Sequence, residues 1–153
     1  MGGMKLAKED IFLDLKVPDM TAAIQAICAH LLREEKIAPD FEKHLLLREE
    51  EYPTGLKLGK INVAIPHADY EYSKTTQLVV ATLESPVLWN NMENPDEALR
   101  VSVVVMSLFD KPEKQIEALK QIMGVIQSQE ALQQIVNATT FDQVVEAFNK
   151  GRE

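Results

Sequence analysis

The sequence predicts an α/β (α+β) chain folded as a single domain, a mixed β-sheet flanked by helices on both faces. Three observations lead there. The run "LRVSVVVMSLF" (99–109) is too uniformly apolar for a strand with one wet face and suits one buried on both. Several other segments carry apolar residues at helical spacing along one side, each suited to cover a patch of sheet. Their order is strand, two helices, three strands, three helices, without repeat or linker-like change of composition, so helices have to cover both faces of the sheet.

Along the chain, "IFLDLK" (11–16) partly alternates and reads as a short strand. "VPDMTAAIQAICAHLLREEK" (17–36) opens with the helix-start residues Pro18, Asp19 and Thr21, and Ile24, Ile27, Cys28, Leu31 and Leu32 form one buried stripe. "APDFEKHLLLREEEYP" (38–53) reads as a second helix, with Asp40 as cap, Phe41, Leu45 and Leu46 on the apolar side, and Pro53 as the stop. "TGLKLGK" (54–60) is a loop with two glycines. "INVAIP" (61–66) and "TQLVVATLES" (76–85) are strands by β-branched content, and "SPVLWNNMENPDE" (85–97) is a turn-rich connection in which Trp89 packs or recognises a partner. "KPEKQIEALKQIMGVIQ" (111–127) starts a helix near Pro112, with Ile116, Leu119, Ile122 and Met123 as its stripe. "SQEALQQIVNA" (128–138), capped by Ser128, and "TTFDQVVEAFNKG" (139–151), stopping at Gly151, complete the set.

Size and charge bound the function. At 153 residues the chain fits one domain over 1–153, with 1–4 read as a tag remnant or disordered start. A chain of this length buries roughly 70% of its unfolded surface and needs no disulfide or metal to fold. Cys28 is the only cysteine, which excludes an intramolecular disulfide and suits a reducing cytoplasm. No apolar run approaches the ~18 residues of a membrane span, so a cytoplasmic protein without membrane insertion is expected. The net charge of −8 argues against nucleic acid and permits a basic protein partner.

Three histidines exist. His30 lies among Ala29, Leu31 and Leu32 and reads as structural; His44 reads as a solvated helix residue sharing a face with Arg48. His67 differs. Pro66 removes a ladder donor and holds Ile65 extended, so His67 falls where the strand ends, a place where ligand sites collect in α/β sheets. Its imidazole is open to roles as base, metal ligand, nucleophile or satisfied structural residue. "GLKLGK" fails as a phosphate-binding P-loop because one residue is missing and Ile61 replaces the hydroxyl residue. "HADYE" offers His67, Asp69 and Glu71 but too few convergent ligands, so no metal is expected.

Taken together, "LLLREEEYPTGLKLGKINVAIPHAD" (45–69) resembles the active-site signature of the fructose/mannitol-class (type-2) enzyme IIA proteins of the bacterial sugar phosphotransferase system (PTS). The matching parts are Arg48-Glu49, "PTG" at 53–55, the glycine-spaced loop, and "AIPHA" at 64–68. The resemblance implies that family's fold and a phosphocarrier without cofactor. His67 would accept a phosphoryl group from the phosphohistidine of HPr, as a tele-phosphohistidine, and pass it to a cysteine on the cognate enzyme IIB for the membrane enzyme IIC to use. It also implies that Arg48 lies beside the histidine. Arginine suits that place because its planar fork matches phosphate. Thr54 and Gly55 could add hydroxyl or backbone donors. Where many family members carry a second histidine, this sequence has Gln115, which can donate a hydrogen bond but cannot shuttle a proton. Gln115 and the "REEEYPTG" wording resemble the galactitol-like branch. Two other readings stay open beside the carrier: a IIA-like regulatory domain whose His67 phosphorylation controls a transcription or transport partner, and a small metal-dependent hydrolase built on His67 and Asp69.

Overall fold

A computed structural model describes residues 5–151; the opening residues 1–4, expected to be a tag remnant or disordered, lie outside the described residues. Among the described residues, five strands form one mixed sheet in the order β1-β4-β5-β3-β2. They are β1 (Ile11–Leu15), β2 (Gly55–Leu56), β3 (Asn62–Ala64), β4 (Gln77–Asn90) and β5 (Ala98–Leu108). β4 and β5 pair antiparallel at the centre, β1 joins β4 in parallel, β3 joins β5 in parallel, and β2 closes the far edge antiparallel to β3.

The central pair has two apolar faces, which is why helices flank it on both sides. Leu78 and Val80 of β4 and Val103 and Val105 of β5 enter one core, shared with α3 (Lys114–Ile126), α4 (Gln129–Val136) and α5 (Phe141–Gly151). Their neighbours Val79, Ala81, Val104 and Met106 enter the other, shared with α1 (Met20–Arg33) and α2 (Phe41–Glu51). Alternation along a pleated strand delivers each set to its own face.

Several expectations need correction. The connection expected over 85–97 is strand as far as Asn90, because the register steps between Thr82↔Val103 and Val87↔Val101 and lets residues 83–86 bulge out. Pro86, which has no ladder donor, sits in that bulge, and Trp89 re-enters the sheet. The "TGLKLGK" loop contains β2, too short to show a pattern. Asp40 makes no capping bond; its carboxylate lies 3.6 Å from His44 instead. Asp19 does cap α1, accepting from the Ala22 amide at 2.9 Å, and Ser128 caps α4 through the Ala131 amide at 3.0 Å. Leu32, Ile116 and Leu119 are exposed rather than core, and Ala118, Ile122, Val125 and Ile126 form the buried stripe of α3.

Two polar devices fix the layers. Asp10, fully buried, receives Lys36 Nζ and Gln77 Nε2, each at 2.6 Å, with His30 Nε2 at 3.1 Å. Burial would raise its pKa, but the bonds from Lys36, Gln77 and His30 outweigh burial and hold it below the usual value. Glu35, at φ 57°, ends α1 in a left-handed turn and so directs Lys36 inward. On the other side, the Gln129 side chain brackets Ile61, accepting from its amide and donating to its carbonyl, both at 3.0 Å. That clamp sets the start of β3, the strand that leads to His67.

β2 lies so close to the β4–β5 turn that a Cβ on Gly55 would stand 2.5 Å from the Asn90 carbonyl oxygen, a backbone atom. Gly55→Ala is therefore expected to lower stability by about 1–3 kcal/mol, read as a reduced urea midpoint. An unchanged midpoint would mean that β2 yields without cost.

Candidate functional site

The site is assembled at one end of β3. Pro66 is buried and stops the strand, and Ile65 still pairs with the preceding loop, its amide donating to the Thr54 carbonyl at 3.1 Å. His67 then turns back on the strand: its Nδ1 lies 3.3 Å from the Ile65 carbonyl oxygen. A carbonyl can only accept, so Nδ1 carries the proton and the neutral ring keeps its lone pair on Nε2. Nε2 is buried and has no hydrogen-bond partner among the described residues. His67 borders a cavity of about 40 Å³ lined also by Ile65, Ser107, Gln115, Leu119 and Ile122. The Phe109 ring lies 6.1 Å from the imidazole, centroid to centroid.

The predicted residues divide in their placement. Gln115 lines the same cavity as His67, at the first turn of α3, so the structure brings these two together. Arg48 reaches the site's rim, where its Nη1 contacts Asp69 Oδ1 at 3.1 Å. Half-exposed pairs of this kind contribute little to stability, so the guanidinium is free to exchange its partner. Thr54 is different: its amide donates to Glu49 Oε2 at 2.6 Å and its hydroxyl to Glu49 Oε1 at 2.7 Å. Both donors expected to face an anion are thus committed to a buried carboxylate. Gly55 is taken into β2, with its carbonyl accepting from the Met92 amide at 2.7 Å.

Glu49, the acid next to Arg48 in the signature, is the acceptor for both Thr54 donors. It is 4% exposed and also accepts from the Trp89 indole at 2.8 Å. A signal existed in the sequence: Phe41, Leu45 and Glu49 recur every four residues, so Glu49 continues the buried stripe of α2 while Glu50 and Glu51 face water. Burial pushes its pKa up, against the lowering pull of the Thr54 and Trp89 bonds.

Burial also governs His67 and holds its pKa below the ordinary value. The Ile65 carbonyl opposes that shift, the Arg48 charge adds to it, and Asp69 counters it weakly. The site therefore presents a neutral imidazole with an unshared lone pair, a cation on the rim and an amide across a small cavity. That set suits transfer of an anionic electrophile to nitrogen.

Residues 4–151 match the family described as phosphoenolpyruvate-dependent sugar phosphotransferase system, EIIA 2. The chain belongs to that family. Among EIIA relatives, the galactitol-specific EIIA component of Escherichia coli K12 is 23% identical over 132 residues, 86% of this chain and 87% of that protein. The transcriptional regulator ManR of Bacillus subtilis is 27% identical over 81 residues, 53% of this chain and 12% of the regulator. The EIIA fold recurs in the E. coli enzyme IIA-Mtl, solved in complex with phosphorylated enzyme IIB-Mtl. The TM-score there is 0.76 at 21% identity, covering 95% of this chain and 98% of that one. Among the described residues, no helix is long and apolar enough to cross a membrane.

The depressed pKa of His67 gives a pH test. Above 6.5 its contribution to stability is fully present; as pH falls from there through the lower folded value, the unfolded chain binds the proton first and the contribution is lost. A nuclear magnetic resonance titration is expected to place the His67 midpoint below 6.5, and Arg48→Ala is expected to raise it. A wild-type midpoint at or above 6.5 would contradict a desolvated ring.

Proposed function

We propose that this EIIA chain is a cytoplasmic phosphocarrier: His67 Nε2 accepts a phosphoryl group from phospho-HPr and passes it to the cysteine of a cognate enzyme IIB. The observation that carries this reading is the His67 ring itself, with Nδ1 bound to the Ile65 carbonyl and Nε2 buried without a partner. In the first step the Nε2 lone pair forms the new N–P bond, and the N–P bond to the donor's histidine breaks, returning its electron pair to that ring. The proton on Nδ1 stays. Positive charge developing on the ring is met by the Ile65 carbonyl and by Asp69. In the second step a thiolate sulfur takes the phosphoryl group and His67 returns to its neutral form. Nothing else is consumed, and no cofactor enters.

Phosphoryl transfer asks mainly for alignment and for donors around the three equatorial oxygens. Arg48, released from Asp69, supplies a forked cation, and Gln115 supplies a neutral N–H donor. The cavity of about 40 Å³ is too tight for a phosphoryl group with Gln115 and Leu119 in place, and both side chains are exposed and able to yield. Thr54 and Gly55 act in this reading by shaping the floor, since the Thr54 donors are spent on Glu49. The similarity to the galactitol-specific component and the glutamine at 115 favour a galactitol-like polyol as the substrate finally moved by the membrane enzyme IIC.

A second reading, a regulatory domain whose His67 phosphorylation controls a partner, is favoured by the match to the ManR regulator. Adding the cognate enzyme IIB separates the two, because a carrier passes its label to the IIB cysteine and a sensor retains it.

Incubation with phosphoenolpyruvate, enzyme I and HPr is expected to leave acid-labile phosphate on the wild-type chain and none on His67→Ala. Label on His67→Ala, or none on wild type, would overturn the reading. Arg48→Ala is expected to slow transfer by about 1–3 kcal/mol of transition-state stabilisation, and Gln115→Ala by roughly 1 kcal/mol, in rapid-quench measurements.

A further inference from the structure

A hydrogen-bonded chain runs from the interior of the protein to the His67 ring. The Trp89 indole donates to Glu49 Oε2 at 2.8 Å, and Thr54 donates to both oxygens of the same carboxylate. The Thr54 carbonyl receives the Ile65 amide at 3.1 Å, and the Ile65 carbonyl receives His67 Nδ1 at 3.3 Å. Every member but the ring is buried: Trp89 is 1% exposed, and Glu49, Thr54 and Ile65 are each 4% exposed.

We propose that Glu49 is a positioning residue for phosphoryl transfer: its carboxylate fixes Thr54, and through Thr54 the backbone of Ile65, whose carbonyl selects the reactive tautomer of His67. The inference rests on the reading of His67 as the phosphoryl acceptor. Three features set Glu49 apart from a residue that merely fills space. A carboxylate buried among neutral donors is costly compared with an apolar residue of its size, and α2 already supplies Phe41 and Leu45 to that stripe. Both of its oxygens are used, and on one residue it holds the amide and the hydroxyl together, which fixes a peptide plane as a single bond cannot. It also adjoins Arg48 in sequence, so the helix turn that anchors the floor beneath the histidine carries the rim cation as well. The Ile65 N–H and carbonyl, in the two peptide units that flank its Cα, link Thr54 to the ring, so a shift in Thr54 changes which imidazole nitrogen finds an acceptor.

The chemistry of the donors gives a discriminating substitution. In Glu49→Gln the amide oxygen can accept from the Thr54 amide and Trp89, while the NH₂ donates to the Thr54 hydroxyl, which is able to accept. That variant removes the charge and keeps the bonds. Glu49→Ala removes both.

The test reads the His67 ring directly by ¹⁵N nuclear magnetic resonance, with His67→Ala used to assign its signals among three histidines. The wild type is expected to show the tautomer protonated at Nδ1. Glu49→Ala is expected to show a mixture of tautomers, with a loss of transfer rate of about tenfold or more, since small misplacements at a reacting atom are felt that strongly. Glu49→Gln should retain most of the tautomer preference and most of the rate. The signals of His30 and His44, which sit away from this chain of bonds, report whether each variant is folded. A folded Glu49→Ala with the wild-type tautomer signature overturns the proposal, as does a Glu49→Gln that loses the signature as fully as alanine does. If Glu49→Ala does not fold, Thr54→Val and Trp89→Phe replace it. Each removes one donor to Glu49, and an unchanged His67 signature in both overturns the proposal equally. Failure of the wild type to take label at His67 would remove the phosphocarrier reading while leaving the tautomer measurement to stand on its own.

Discussion

β4 and β5 pair antiparallel over most of their length, and neither face of the pair is left to water. Val79, Val80, Val103, Val104 and Val105 are all fully buried, and each such side chain contributes roughly 1.5–3 kcal/mol when removed from water. A helical layer is therefore required on each side, and the rest of the chain is distributed to supply them. α1 and α2 cover one face, and α3, α4 and α5 cover the other. β3 then has to lie against β5, beneath α3, and that places the His67 ring opposite Gln115.

Within this apolar frame two carboxylates are buried in contrasting ways. Asp10 is met by a lysine cation, an amide and a histidine, so its ionised form is favoured despite burial. Among the described residues Glu49 meets three neutral donors and no cation, and burial prevails. Their linkage to pH has opposite signs. The contribution of Asp10 is present above the unfolded carboxylate value and is lost as pH falls through its lower folded one. For Glu49 the fold is favoured below the unfolded value, and that advantage is lost as pH rises through the higher folded one. Asp10 ties the end of α1 to β4 at the edge occupied by β1. Glu49 ties α2 to β4 and to the loop beneath His67, so structure and chemistry meet at the second carboxylate.

Much of the site was legible because its signals are local. Pro66 must interrupt a ladder wherever it stands, so the exit of the chain at His67 follows from one dipeptide. Arg48 and Gln115 were singled out by the resemblance to the family signature; Arg48 pairs with Asp69, and Gln115 lines the cavity beside His67. The misreadings have a common cause. Strand 85–90 was hidden because Ser85, Pro86 and the asparagines that follow read as turn residues, while a bulge in the pairing with β5 absorbs Pro86. The stripe of α3 was misphased because Ile116 and Leu119 look buried by type, yet the orientation of a helix is set by what it packs on. Ile116, 65% exposed, lies beyond the sheet's reach, and Leu119 stops at the mouth of the cavity.

By itself the sequence determined the layered α/β plan and the stop at Pro66; Arg48 and Gln115 were singled out by the resemblance to a family signature. Period, proline geometry and residue chemistry are properties of short segments, and they survive whatever the rest of the chain does. The tertiary structure alone decided what holds the His67 ring and what becomes of Thr54. Those depend on a carbonyl two residues upstream and on a carboxylate from another element. Hydrogen bonds form only when the fold has brought donor and acceptor within about 3 Å and in line. A threonine that looks like an anion ligand in the sequence is, once folded, already holding Glu49.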